Sequence, residues 1–142
     1  MATIEQEFVL IDSNVLIDVI HADPVWLDWS ASQLETVLRH GAAAINPIIY
    51  AEVSAYFATP GEADAVLPET DYRRLPLPYD AGFLAGQAFR EYRRKGGNRS
   101  TTLPDFFIGA HALTAGLILL TRDARRYRSY FPELRLIAPN QG

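Results

Sequence analysis

The chain contains no cysteine. Disulfide staples, thiolate zinc sites and cysteine nucleophiles are therefore excluded together. It also lacks an apolar run long enough for a bilayer, which takes about 20 residues; LILL at 117–120 is far too short. The opening MATIEQEF carries acids where a secretion signal needs a basic segment and then a long apolar one. A cytoplasmic protein without membrane association is expected. Lysine is scarce as well: Lys95 is the only one among the 13 basic residues. A phosphoacceptor receiver domain needs a lysine at the end of a late strand, and Lys95 falls at an expected helix end, so that class is set aside. The net charge of −4 argues against a protein that coats nucleic acid without preference.

What remains is an ordinary globular composition, 49% hydrophobic and 21% charged over 142 residues. That length suits one domain over residues 1–142 and buries a substantial core. Charge is unevenly spread. Twelve of the seventeen acids precede Tyr72, and ten of the thirteen bases lie between Arg90 and Arg135. The asymmetry permits an acidic centre beside a basic surface, although surface charges also segregate by chance.

VLI at 9–11 has the apolar, β-branched pattern of a strand covered on both faces. A short helix is expected from Asn14 to Ile20. Pro24 suits the first position of a second helix reaching Arg39, with Asp23 as its cap and Gly41 as its stop. Ala43 to Ile45 is expected as a strand, and Asn46-Pro47 as the start of a helix to about Tyr56. TPGEADAVL reads as a break and a short helix, Asp71 to Leu77 as a third strand, and Asp80 as the cap of a helix to Lys95. Leu103-Pro104 opens another helix, which Gly116 ends. LILLT from Leu117 is a strand, Arg122 to Tyr127 a helical turn, and LRLIAP from Leu134 an alternating closing strand. Alternating strands and helices imply an α/β fold, a central parallel sheet flanked by helices. Ligands of such sheets gather beyond the carboxyl ends of the strands.

Four acids point to that rim. Asp12 ends the first strand, Asp123 lies just past LILL, and Asp105 falls in the first turn of its helix. Glu52 sits five residues past Pro47, a helical rise of roughly 7–8 Å. Helical side chains lean back toward the N-terminus, so this longer acid can still reach the rim. Four clustered carboxylates repel one another and raise each other's pKa unless a cation joins them. Oxygen ligands without histidine or cysteine favour Mg²⁺ or Mn²⁺, ions that work on phosphate substrates. Each acid also has a plainer reading: Asp12 or Asp123 as a helix cap, Glu52 as a solvated helix residue. Their joint placement favours the metal reading.

With these residues in place, the chain resembles the PIN-domain ribonucleases, specifically the VapC-type toxins of toxin–antitoxin pairs. The likeness runs through IDSNVLID, NPIIYAEV, LPDFFIGAHAL and LLTRDARRYRSYFPELRLIAP, nearly the whole chain. It implies a PIN-like three-layer α/β/α fold and metal binding or metal-water activation by Asp12, Glu52, Asp105 and Asp123. A hydroxyl before the last acid recurs in that family, and Thr121 occupies the position here. Ser13 and Asn14 fit a supporting role, orienting Asp12 or capping the first helix. Where relatives often carry serine or threonine, this chain has Asn46-Pro47. The resemblance further implies Mg²⁺- or Mn²⁺-dependent cleavage of RNA, commonly tRNA or rRNA, to a 3′-hydroxyl and a 5′-phosphate. A homodimer and a VapB-type antitoxin laid across the active-site groove are implied with it. The competing reading is a non-catalytic PIN-fold module that binds RNA or protein.

RRKGGNR before Asp105 reads either as a basic, glycine-rich helix end or as a phosphate-gripping loop. Arg93, Arg94, Lys95 and Arg99 are its candidate RNA contacts. Arg122, with Arg125, Arg126 and Arg128, could touch backbone phosphate or simply form a solvated face. His21, His40 and His111 lack metal spacing. Trp26, Trp29, Tyr56 and Phe57 are expected in the core.

Overall fold

The computed structural model describes residues 7–97 and 101–139. Five strands, β1 (Val9–Ile11), β2 (Ala43–Ile45), β3 (Arg73–Arg74), β4 (Ile118–Leu120) and β5 (Leu136–Ile137), form one sheet in the order β3-β2-β1-β4-β5. Every pairing is parallel. Helices connect the strands: α1 (Ser13–Ile20) and α2 (Leu27–Arg39), then α3 (Pro47–Ser54) and α4 (Pro60–Val66), then α5 (Tyr79–Arg94) and α6 (Leu103–Thr114), and finally α7 (Ala124–Arg128). The expected α/β architecture is the one observed. No described helix is long and apolar enough to cross a membrane.

Leu10, Ile11, Ala44, Ile45, Leu119 and Leu120 are fully buried, as strands covered on both faces require. A second centre forms where α5 packs on α6. There Phe106 meets the rings of Phe89, Tyr92, Tyr130 and Phe131 at 5.2–6.4 Å between centroids. Burying a phenylalanine of this kind contributes about 1.5–3 kcal/mol.

The ends of the elements differ from the sequence reading in instructive ways. Asp23 does cap, accepting from Val25 N and Trp26 N, but a tight turn intervenes and α2 begins at Leu27 rather than Pro24. Pro78, not Asp80, precedes α5, and Asp80 lies inside its first turn. The third strand shrinks to Arg73–Arg74. Asp71 N and Tyr72 N are drawn into a turn on Pro68 O, and after Leu75 N bonds Ile45 O the ladder meets Pro76 and Pro78, which have no N–H to give. This edge is charged and held to α4 by Arg74, which pairs with Asp64 at 2.7 Å. The closing strand keeps only Leu136 and Ile137, both half-buried, so its alternation is absent. Tyr56 is exposed at the surface, its ring edge-on to His21, rather than in the core.

Gly41 and Gly116 end α2 and α6 at φ 64° and 68°, the left-handed conformation that stops a helix. Both expected helix stops are found there.

Candidate active site

The strand order reverses between β1 and β4, where α/β sheets open a crevice at their carboxyl ends. Asp12 leaves β1 at this point and Thr121 leaves β4. Asp12 stands before α1 yet makes no capping bond with its side chain. Its carboxylate is turned inward instead. Thr121 Oγ1 and Tyr127 OH both donate to Asp12 Oδ2, each at 2.8 Å.

The threonine hydroxyl has little freedom in this. It accepts from Asn14 Nδ2 at 3.3 Å and from Asp123 N at 3.1 Å, so its one proton is left for Asp12. Tyr127 reaches the same oxygen from α7, where Ala124 and Tyr127 form the buried face. Burial and the Asp12 charge push its hydroxyl well above the usual range, so it stays a donor. Gly109 on α6 makes room for this ring. A Cβ there would come within 2.9 Å of Tyr127 and 2.7 Å of Phe131.

Asp12 is 2% exposed, and burial pushes its pKa up against the pull of the two hydroxyls and of Arg126. Glu52 on α3 is half-buried and also pushed up, first by burial and then by the charges of Asp12 and Asp105. These three acids, drawn from three segments, lie close enough to act on one another. Ser13 Oγ donates to Glu52 Oε1 at 2.9 Å. Ser13 thus supports Glu52, and Asn14 supports Thr121. Among the described residues, neither caps α1 nor bonds Asp12.

Asp105 and Asp123 are held differently. Asp105 Oδ2 accepts from Thr102 N at 2.8 Å and Thr102 Oγ1 at 2.9 Å, which ties the first turn of α6 together. Its Oδ1 meets Arg126 Nη1 at 3.2 Å. Asp123 caps α7, accepting from Arg126 N at 3.4 Å, and its Oδ2 meets Arg126 Nη2 at 3.3 Å. Burial opposes the Arg126 charge, but the carboxylates of Asp105 and Asp123 outweigh it and raise its pKa. The cap reading of Asp123 is therefore real, and Asp123 joins the other acids through Arg126.

The donor set is chemically suited to Mg²⁺ or Mn²⁺, being all carboxylate oxygen. The arrangement is only partly so. Among the described residues, no group of three or more Asp, Glu or His side chains is gathered closely enough to hold a metal ion. Asp12 Oδ1 and Glu52 Oε2 carry no hydrogen bond from a described residue, whereas both oxygens of Asp105 and of Asp123 are engaged.

The basic candidates other than Arg126 have contacts of their own. Arg122 Nε pairs with Asp18 Oδ2 at 2.9 Å, and its guanidinium lies 5.7 Å from the Trp26 ring, so it fastens the β4 exit to α1 and α2. Arg93 and Arg94 are exposed on the last turn of α5, Arg93 stacking on Phe89 at 5.7 Å. Lys95 pairs with Glu91 at 3.8 Å. Arg99 lies outside the described residues. His111 is buried, its Nδ1 at 3.0 Å from Asn46 Nδ2, linking α6 to the start of α3. Tyr127 was not legible as a site residue, and Arg126 was read only as a phosphate contact or a solvated residue, not as a partner of the acids. The available signal was a tyrosine three residues from Ala124 on one helix face, since a buried hydroxyl must find a partner.

Comparison with known proteins gives one consistent answer. The PIN domain family model matches residues 9–132. No curated protein matches the sequence. Among solved structures, VapBC2 from Rickettsia felis bound to a promoter DNA fragment aligns with a TM-score of 0.69 at 19% identity, over 92% of this chain and 98% of that one. The DNA-bound VapBC from Salmonella typhimurium gives 0.68 at 21% identity, over 94% and 98%. VapBC-1 from nontypeable Haemophilus influenzae gives 0.69 at 17%, over 92% and 97%.

Proposed function

Since the chain belongs to the PIN domain family, we propose that it is a metal-dependent endoribonuclease acting as the toxin of a toxin–antitoxin pair. The observation that carries this reading is the approach of Asp12, Glu52 and Asp105 at the reversal point of the sheet, where the Asp105 charge pushes Asp12 up and the charges of Asp12 and Asp105 push Glu52 up. Buried like charges oppose folding, and a chain with no use for a cation gains nothing by keeping them together.

Bound Mg²⁺ or Mn²⁺ would activate a water and stabilise the leaving oxygen of a phosphodiester. Asp12 Oδ1 and Glu52 Oε2 are the ready ligands, with Asp105 and Asp123 completing the set. Thr121 and Tyr127 hold Asp12 by its other oxygen, and Ser13 does the same for Glu52. Hydrolysis breaks the bond from phosphorus to the 3′ oxygen, which takes a proton and leaves as a hydroxyl, while the water oxygen stays on the 5′-phosphate.

The partners follow from the fold likeness. The neighbours named above are VapBC assemblies, which supports a VapB-type antitoxin as the partner of this chain. RNA, tRNA or rRNA, is the proposed substrate, and a homodimer in the cytoplasm the proposed working form. Arg93, Arg94, Lys95 and Arg99 are the proposed contacts to the RNA backbone, whereas Arg122 is committed to Asp18. Purified protein should cleave RNA with Mn²⁺ and stop in excess EDTA, and Asp12→Asn should reduce cleavage to the blank. Cleavage that persists in EDTA contradicts the metal mechanism.

A non-catalytic binding module is the second reading, favoured by the full engagement of Asp105 and Asp123 with Arg126 and Thr102. Melting with and without Mn²⁺ separates the two, because a ligand of the native state raises the melting temperature.

A further inference from the structure

Two acids each keep a carboxylate oxygen without a hydrogen bond from a described residue, and two are closed by one guanidinium. Arg126 bridges Asp105 Oδ1 at 3.2 Å and Asp123 Oδ2 at 3.3 Å. Its side chain is 27% exposed, so it reaches the acids from the surface rather than from the core. Arg126 itself helps line a cleft of about 240 Å³, together with Thr101, Asp123 and Arg125. The guanidinium therefore has somewhere to go.

We infer that Arg126 is a built-in cation that competes with the divalent ion for Asp105 and Asp123, keeping the site closed until the ion displaces it into the cleft. The inference rests on the metal-dependent reading above. Three physical points carry it. A planar guanidinium, with its two terminal NH₂ groups, suits two carboxylates at once, which a compact ammonium does not. Releasing it frees one oxygen on each of Asp105 and Asp123, and with Asp12 Oδ1 and Glu52 Oε2 this makes one available oxygen per acid. The exchange also leaves the acids balanced by no less positive charge than before, since a monovalent cation leaves as a divalent one arrives. A site that held no metal and no arginine would leave the coupled acids unrelieved.

Arg126 acts here as a positioning residue, through the carboxylates it holds. The test is metal binding by calorimetry on the whole chain, for the wild type, Arg126→Gln and Arg126→Lys. Removing the competitor should tighten Mn²⁺ binding about tenfold and enlarge the rise in melting temperature on adding Mn²⁺. The metal-free variant should melt below the metal-free wild type. Lysine keeps the charge without the fork and should fall between. Should Arg126→Gln not fold, the wild type alone decides: Mg²⁺ titration followed by NMR should speed solvent exchange of the Arg126 Nη protons as the ion saturates. Equal or weaker Mn²⁺ binding in the variants, or Arg126 Nη protons indifferent to Mg²⁺, overturns the inference while the metal reading stands. No metal binding by any form overturns both.

Discussion

Asp12 and Asp18 lie six residues apart in one motif, and both are 2% exposed. Their surroundings are opposite. Asp18 receives Ser30 Oγ at 2.8 Å and the Arg122 guanidinium at 2.9 Å, so its charge is balanced on the spot. Asp12 receives two neutral hydroxyls, and no described cation pairs with it directly. A buried carboxylate left that way costs several kcal/mol unless something else compensates. Burial therefore says little about role. The charge of the partner separates the aspartate paired inside the fold from the one proposed to take a cation.

The contrast can be broken most sharply by the paired substitutions Asp12→Asn and Asp18→Asn. The first should abolish RNA cleavage and the metal-induced rise in melting temperature, yet raise the melting temperature of the metal-free protein, because the amide keeps the shape and drops the charge. The second should keep the metal response and cost about 1–3 kcal/mol, several degrees of melting temperature, by stranding Arg122 and Ser30. A stable, active Asp18→Asn with an unstable Asp12→Asn would reverse the assignment of roles.

A smaller effect tests how Asp12 is held. Tyr127→Phe removes one of its two donors and should lower metal affinity and cleavage about 10–100-fold, with a stability change of about 1 kcal/mol. Titrating Mn²⁺ against both proteins measures it. If the affinity is unchanged, Tyr127 is packing alone.

The smallest effect is a dependence on pH. Burial raises the pKa of Asp12 and of Glu52 above their usual 3.8 and 4.5. The folded state therefore binds these protons more tightly than the unfolded chain does. Stability is lost as pH rises through their folded pKa values and regained as pH falls back toward about 4. His111 runs the other way, since burial lowers it below 6.5 and protonation favours unfolding. Comparing the wild type with Asp12→Asn cancels the shared His111 contribution. The advantage of the variant in EDTA should be largest near neutral pH and should narrow as pH falls through the folded pKa of Asp12.

Much of the site was legible along the chain, because its supports are local. Asp12 follows a strand, Asn46-Pro47 starts a helix whose sixth residue is Glu52, and Asp105 sits three residues past its partner Thr102. Backbone rules place such residues without knowledge of what lies opposite. Ser13, Asn14 and Arg122 were legible as polar residues near the rim, but their partners were not. Glu52, Thr121 and Asp18 lie 39, 107 and 104 residues from them in sequence. Nothing local to Ser13 distinguishes a bond to Glu52 from a helix cap. The third strand was overextended for a related reason: apolar spacing cannot tell where an edge ladder runs into prolines.

The sequence by itself determined the alternating strands and helices, the carboxyl rim and the four acids that face it, since periodicity, capping residues and glycine stops act over a few residues. Only the tertiary structure decided which oxygens of Asp12 and Glu52 stay without a hydrogen bond from a described residue, that Tyr127 and Thr121 share Asp12, and that Arg126 closes Asp105 and Asp123. Hydrogen bonds and ion pairs act over about 3 Å, and whether two side chains come that close depends on how β1, β4, α6 and α7 pack together.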